Sequence, residues 1–179
     1  MAKKANIGKV AAPGRDLVDS LLRDWRRERP ELDAAPMAVI GRVLNLGRLL
    51  EARANDRLKG TGLKYTDLDV LATLRRSGVP YRLTPTALRK SALITSGAMT
   101  ACLNRLENLG LLARSPEDSD RRSLMASLTP KGVKLVDRAI AIRFEEASHA
   151  VAALTPAEQV SLANLLRKLG NGLRTKDFR

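Results

Sequence analysis

The side chains in this chain that could do chemistry are guanidiniums and hydroxyls, and the chemistry they suit is the capture of a polyanion. Arg121 and Arg122 end the segment PEDSDRR, residues 116–122. A guanidinium offers its donors as a planar fork, which matches phosphate oxygens and can reach into a minor groove. Asp118 and Asp120, just before the pair, can orient such a fork by bidentate pairing. A solvated hairpin tip would have the same composition. Upstream, Thr95, Ser96, Gly97 and Thr100 are small or hydroxylated side chains near a helix N-terminus, the end that points at base edges or phosphates. Thr95 and Ser96 also suit plain capping, which is compatible with phosphate contact. Arg105 is either a surface arginine or a clamp on a nucleic-acid backbone.

Other chemistries lack their residues. One cysteine and one histidine exclude a zinc site built from those ligands and any intrachain disulfide. There is no G-x-S-x-G, Walker or Rossmann pattern, and little with which to build an acid–base pair around His149. Neither an enzyme nor a bound cofactor or metal is expected. Cys102 lies mid-helix beside Leu103 and reads as buried and inert, where an exposed, activated thiol would instead sense oxidants.

The charge balance names the partner class. Thirty-two basic against 19 acidic residues give a net charge of +13, with a pI near 10.7. That excess favours nucleic acid ahead of an anionic membrane. Aromatic residues make up 3% of the chain, too few for the stacking platforms of RNA or single-strand binders. Duplex DNA is the expected partner. No apolar run of roughly 18 residues and no signal-peptide core are present, so a cytoplasmic, nucleoid-associated protein without a membrane role is expected.

These side chains need elements to hold them. Thr84 is a natural N-cap and Pro85 suits the first helical position, predicting a helix over roughly Pro85–Ala92. Thr95 or Ser96 can cap a second helix with Met99, Leu103, Leu106 and Leu109 on one face. Gly110 stops it where a left-handed residue is wanted. Leu111–Ser115 and Ser123–Leu128 then read as the arms of a hairpin. Two short helices followed by a basic hairpin make a winged helix, whose second helix can enter a major groove. No helix residue is an obvious bidentate reader of guanine, so sequence preference must rest partly on wing insertion and DNA shape.

The segment RLENLGLLARSPEDSDRRSLMASLTPKG, residues 105–132, resembles the signature of the MarR family of winged helix-turn-helix regulators. Its landmarks stand in order: a recognition helix ending in RLExxGLL, a wing with DRR, and LTxxG opening the next helix. The resemblance covers the central half of the chain closely and its helical order over roughly 36–172. It implies a mainly α fold with N- and C-terminal dimerisation helices and a two-stranded β wing. It also implies that Arg122 enters the minor groove, that Arg121 serves phosphate or Asp120, and that Arg105 clamps the backbone.

The flanks fit that outline. Residues 1–13 are polar and basic without useful period and read as a flexible arm, with a grip on DNA backbone as its functional alternative. Residues 14–179 read as one domain: N-terminal helices over 14–60, a DNA-binding lobe over 63–128, and C-terminal dimerisation helices over 129–172. Arg15–Arg29 carries an apolar stripe of Leu17, Val18, Leu21, Leu22 and Trp25. Pro30–Pro36 connects it to a helix over Met37–Leu58 with too many apolar residues for a surface helix, as a dimer interface would require. Thr66 is expected to cap a helix over Asp67–Arg76 with Asp69 at its third position, near a capping box. Ser77–Leu83 is a loop with room for a short edge strand. Thr129-Pro130 opens a helix to about Ala153, and Thr155-Pro156 with Glu158 opens the last one.

Within the family, the extra N-terminal helix with Trp25 resembles the urate-responsive, PecS-like branch. That likeness implies a small anionic or aromatic ligand met by Trp25, Asp69 and Arg76. The branch's fourth position, an arginine of the recognition helix, falls on Cys102, a departure from the pattern. Without the likeness, Trp25 is a packing anchor, Asp69 a capping acid and Arg76 a helix-closing cation. The function expected is a ligand-responsive transcriptional repressor binding pseudo-palindromic duplex DNA as a homodimer, its half-sites about 34 Å apart or a multiple of that. The alternatives are a sequence-tolerant architectural DNA-binding protein, which the charge alone would support, and a protein-interaction module that kept the fold.

Overall fold

The computed structural model describes residues 14–92, 96–116 and 124–174, with the side chains of 96–98 left aside. The expected arm over 1–13 lies outside them. The sequence reads as one domain after residue 13; the structure divides into two compact units, residues 1–51 and 52–179.

In the first unit, helix α1 (Leu17–Glu28) opens on a reciprocal cap. Asp19 N donates to the Asp16 side chain and Asp16 N to that of Asp19, both at 2.9 Å. These bonds, together with Arg42 from the next helix, hold the Asp19 carboxyl below its ordinary pKa. Of the expected stripe only Val18 and Leu22 are buried, while Leu17, Leu21 and Trp25 are half exposed or more. Helix α2 (Ala35–Leu58) starts two residues before the predicted Met37. The reason is local: Asp33 accepts from Ala35 N at 2.9 Å, and Pro36 is tolerated in a first turn. Leu44, Leu46 and Leu49 along α2 stay more than half exposed, an apolar face without cover in one chain.

The second unit holds the main core. A short 3₁₀ turn over Lys59–Thr61 ends at Gly62, whose φ of +72° needs a residue without Cβ strain. Helix α3 (Tyr65–Arg76) follows. It begins one residue before Thr66, because Asn55 Oδ1 takes the Tyr65 N–H at 2.8 Å. The acid at its third position is therefore Asp67, accepting from Lys64 N at 2.9 Å, and not Asp69 as the Thr66 cap would have it.

Strand β1 (Arg82–Leu83), helix α4 (Pro85–Ser91) and helix α5 (Ser96–Asn108) come next, then strands β2 (Leu112–Pro116) and β3 (Leu124–Leu128). Thr84 caps α4 by accepting from Ala87 N at 3.1 Å. Gly110, at φ +67°, turns the chain out of α5 as expected. The predicted hairpin is joined by β1, giving a three-stranded antiparallel sheet in the order β1-β3-β2, with Leu83 opposite Ala126 and Arg114 opposite Ala126 on the other side. Leu71, Leu74, Leu88, Leu106, Leu112 and Val136 are fully buried where helices and sheet meet.

Helix α6 (Pro130–Ala150) starts on Thr129, whose Oγ accepts from Gly132 N at 3.0 Å and donates to Gly110 O at 2.8 Å. A Cβ placed on Gly132 would stand 1.9 Å from Leu111 O, so backbone meets backbone there. Deep in the unit, the buried Glu146 of α6 accepts from Arg53 Nε at 2.6 Å. Helix α7 (Pro156–Arg174) opens on the expected reciprocal cap, Thr155 N donating to Glu158 at 2.8 Å. Its Val160, Leu165 and Leu173 are more than half exposed. No helix among the described residues is long and apolar enough to cross a membrane.

Candidate nucleic-acid interface

The two helices α4 and α5 with the β2–β3 hairpin form the helix-turn-helix and wing that the spacing predicts. Leu88 of α4 and Met99, Leu103 and Leu106 of α5 are buried in the core. The opposite face of α5 carries Thr100, Ala101 and Asn104, all exposed. That geometry presents a helix surface to a groove while its apolar side anchors it.

Several expected contact residues fall outside what is described. Thr95, Asp118, Asp120, Arg121 and Arg122 are among the undescribed residues, and so is the side chain of Ser96. What the structure shows is how the reading elements are fixed. Arg105, expected to clamp a DNA backbone, is held inside the lobe: its Nε donates to Asp67 Oδ2 and its Nη2 to Gly62 O, both at 2.9 Å. Asp67 is buried, so this pair ties the N-terminus of α3 to the last turn of α5. Cys102 completes the cluster, its Sγ 3.5 Å from Asp67 Oδ1. Burial first, then the neighbouring Asp67 charge, push the thiol up to about 12, so it is protonated at neutral pH.

A second tie joins recognition helix and wing. Arg114 of β2 donates through Nε to Glu107 Oε2 at 2.9 Å and through Nη2 to Asn104 Oδ1 at 2.8 Å. The Arg114 guanidinium holds the Glu107 carboxyl below its ordinary range. Neither Arg114 nor Asn104 stands out in the sequence. The available signal was an acid and an arginine on either side of the Gly110 turn, close enough to meet once the hairpin folds back.

The expected ligand residues fall in both units. Trp25 is 56% exposed on α1, in the first unit. Asp69 lines a cleft of about 120 Å³ between α3 and α6, with Tyr65, Leu68, Ala72, Ile140, Arg143 and Phe144. Arg143 lies over the Tyr65 ring, 5.7 Å from its centre. Arg76 is directed elsewhere, donating to Ser91 O at the end of α4. The cation that accompanies Asp69 at this cleft is Arg143, which the sequence hides within the Ile140–Phe144 apolar stripe.

Known proteins are similar to this chain. A model described as the MarR family matches residues 61–123. The transcriptional regulator PecS of Dickeya dadantii is 33% identical over 152 residues, covering 85% of this chain and 92% of that protein. Among solved structures, Sco3205 of Streptomyces coelicolor, a MarR family regulator in complex with DNA, superposes with a TM-score of 0.72 at 28% identity, covering 82% of this chain and 96% of the other. BpsR of Bordetella bronchiseptica, whose DNA binding is regulated by 6-hydroxynicotinic acid, gives 0.67 at 26% identity, covering 73% and 92%.

Proposed function

The chain belongs to the MarR family and is a DNA-binding transcriptional regulator, and from that premise we propose that it grips operator DNA with α5 in the major groove and the wing arginines alongside. The observation that carries this reading is the exposed Thr100–Ala101–Asn104 face of α5, held outward by the buried side of the same helix. Thr95, Ser96, Gly97 and Thr100 contact base edges or phosphates, while Arg121 and Arg122, oriented by Asp118 and Asp120, reach phosphate and minor groove. Arg105, expected to clamp the DNA backbone, is bonded to Asp67 and Gly62, and from there it positions α5. The uncovered apolar faces of α2 and α7 suit a homodimer, which places two reading heads on a pseudo-palindrome in the cytoplasm, at the nucleoid.

The test compares duplex from upstream of the protein's own gene with scrambled duplex at two salt concentrations. A preference on the order of a hundredfold or more is expected. Arg122→Ala should reduce operator affinity about tenfold or more, and an undiminished affinity would remove the wing from the interface.

The cleft between α3 and α6 supports a ligand-responsive repressor. Asp69, Tyr65 and Arg143 give it an acid, a ring and a cation around an apolar floor, features that suit a small aromatic acid. Such a ligand weakens operator binding only if it favours the non-binding conformation. Urate and 6-hydroxynicotinic acid are the probes. One of them should release wild-type protein from operator, with Asp69→Ala insensitive and still binding DNA. Equal release of the variant would place the effector site elsewhere, and no release by either probe would count against this ligand class.

A further inference from the structure

The notch between the two helices of the helix-turn-helix holds Thr86 and Arg89, which none of the foregoing uses. It is a cavity of about 120 Å³ lined by Pro85, Thr86 and Arg89 of α4 and by Met99, Thr100 and Leu103 of α5. Met99 and Leu103 are buried and form its floor. Thr86, Arg89 and Thr100 are exposed at its rim. Thr86 and Arg89 are three residues apart on a helix, so they share one face, opposite the buried Leu88.

Arg89 differs from four other arginines of this lobe. Arg75 is paired with Asp137, Arg76 bonds Ser91 O, Arg105 bonds Asp67, and Arg114 bonds Glu107. Arg89 has no hydrogen-bond or ion-pair partner among the described residues. A cation flanked by two hydroxyls, over an apolar floor and with no acid among the described residues lining the notch, is chemistry for a tetrahedral oxyanion. The position fits as well, because the first helix of such a motif crosses the DNA backbone when the second lies in the groove.

We propose that Thr86, Arg89 and Thr100 form a seat for one phosphodiester group of bound duplex DNA, with Arg89 as its anchor. This rests on the placement of α5 in the major groove set out above. A phosphate held between α4 and α5 would fix how deeply α5 enters and at what angle. The seat carries no base information itself. It sets the register in which the base-reading residues work.

The experiment measures affinity against salt for the full chain, on operator and scrambled duplex. Removing one phosphate contact should lower the slope of log K against log salt by about 0.9. Arg89→Gln is expected to show that loss on both duplexes, with operator affinity down about tenfold at low salt and the operator preference largely kept. Arg89→Lys should keep the slope but recover only part of the affinity, since an ammonium lacks the fork. Lys134→Gln, at an exposed position of α6, removes the same charge elsewhere and should leave the slope unchanged. An unaltered slope in Arg89→Gln would overturn the seat, and so would an equal loss in Lys134→Gln, which would reduce Arg89 to its share of net charge. Wild-type protein without operator preference would count against the regulatory reading instead, and the slope on scrambled duplex would still decide the seat.

Discussion

Asp67→Ala should lose roughly 3 kcal/mol of stability in urea denaturation, with the slope against denaturant unchanged. The carboxylate is buried and serves three donors: Lys64 N, Arg105 Nε and Cys102 Sγ. Its removal strands a guanidinium and opens the first turn of α3. Breaking a buried pair by deleting one member costs about 3–5 kcal/mol. The lower end applies because the Arg105 side chain is 39% exposed and water can take over part of its charge. Asp67→Asn keeps the acceptor for Lys64 N and should lose less, about 1–2 kcal/mol. Operator affinity should fall as well, since the same pair sets the attitude of α5. Cys102 reports on the cluster: its thiol, inert in the native protein, should become open to alkylation in Asp67→Ala. A loss below about 1 kcal/mol would mean that the pair behaves as a surface contact and does not fix the recognition helix.

Gly132→Ala should be at least as damaging. The added Cβ would meet a backbone oxygen, Leu111 O, at 1.9 Å, and no side-chain rotation can relieve that. Either α6 backs away from the α5–β2 junction or the hydrogen bonds from Thr129 to Gly110 O and Leu111 O open. Overpacking of this kind costs about 3 kcal/mol or more, which for a chain of this size lowers the melting temperature by about 10 °C. Gly170→Ala, where a Cβ meets nothing within 4 Å, is the matched control and should be close to neutral. Wild-type melting behaviour in Gly132→Ala would show that the junction yields easily.

What the sequence made legible was punctuation. Thr84-Pro85, Gly110, Thr129-Pro130 and Thr155 with Glu158 each mark a boundary, because caps and turns are short-range chemistry between residues a few positions apart. Long-range pairing was not legible. Asp67 and Asp69 are two positions apart and equally acidic. Only the Asn55 amide, ten residues upstream of Tyr65, decides where α3 begins and so which acid caps it. Arg105 looked available for phosphate because its partners, Asp67 and Gly62, lie about forty residues back along the chain. Arg143 was concealed by its apolar neighbours Ile140 and Phe144, since a helix presents different residues to a cleft and to a core. The two-residue strand β1 was anticipated only as an edge, and its partner β3 could not be chosen without the fold.

The polar ties on the recognition helix attach to its middle and last turn: Asp67 to Cys102 and Arg105, and Arg114 to Asn104 and Glu107. The leading turn lies ahead of these moorings and is seated by the buried Met99. Substitutions at the tip therefore leave the moorings untouched, and a change of DNA target is separable from a change of fold. A lineage carrying this architecture can move from one promoter to another by exchanging a few tip residues, while the clamp behind them is inherited intact.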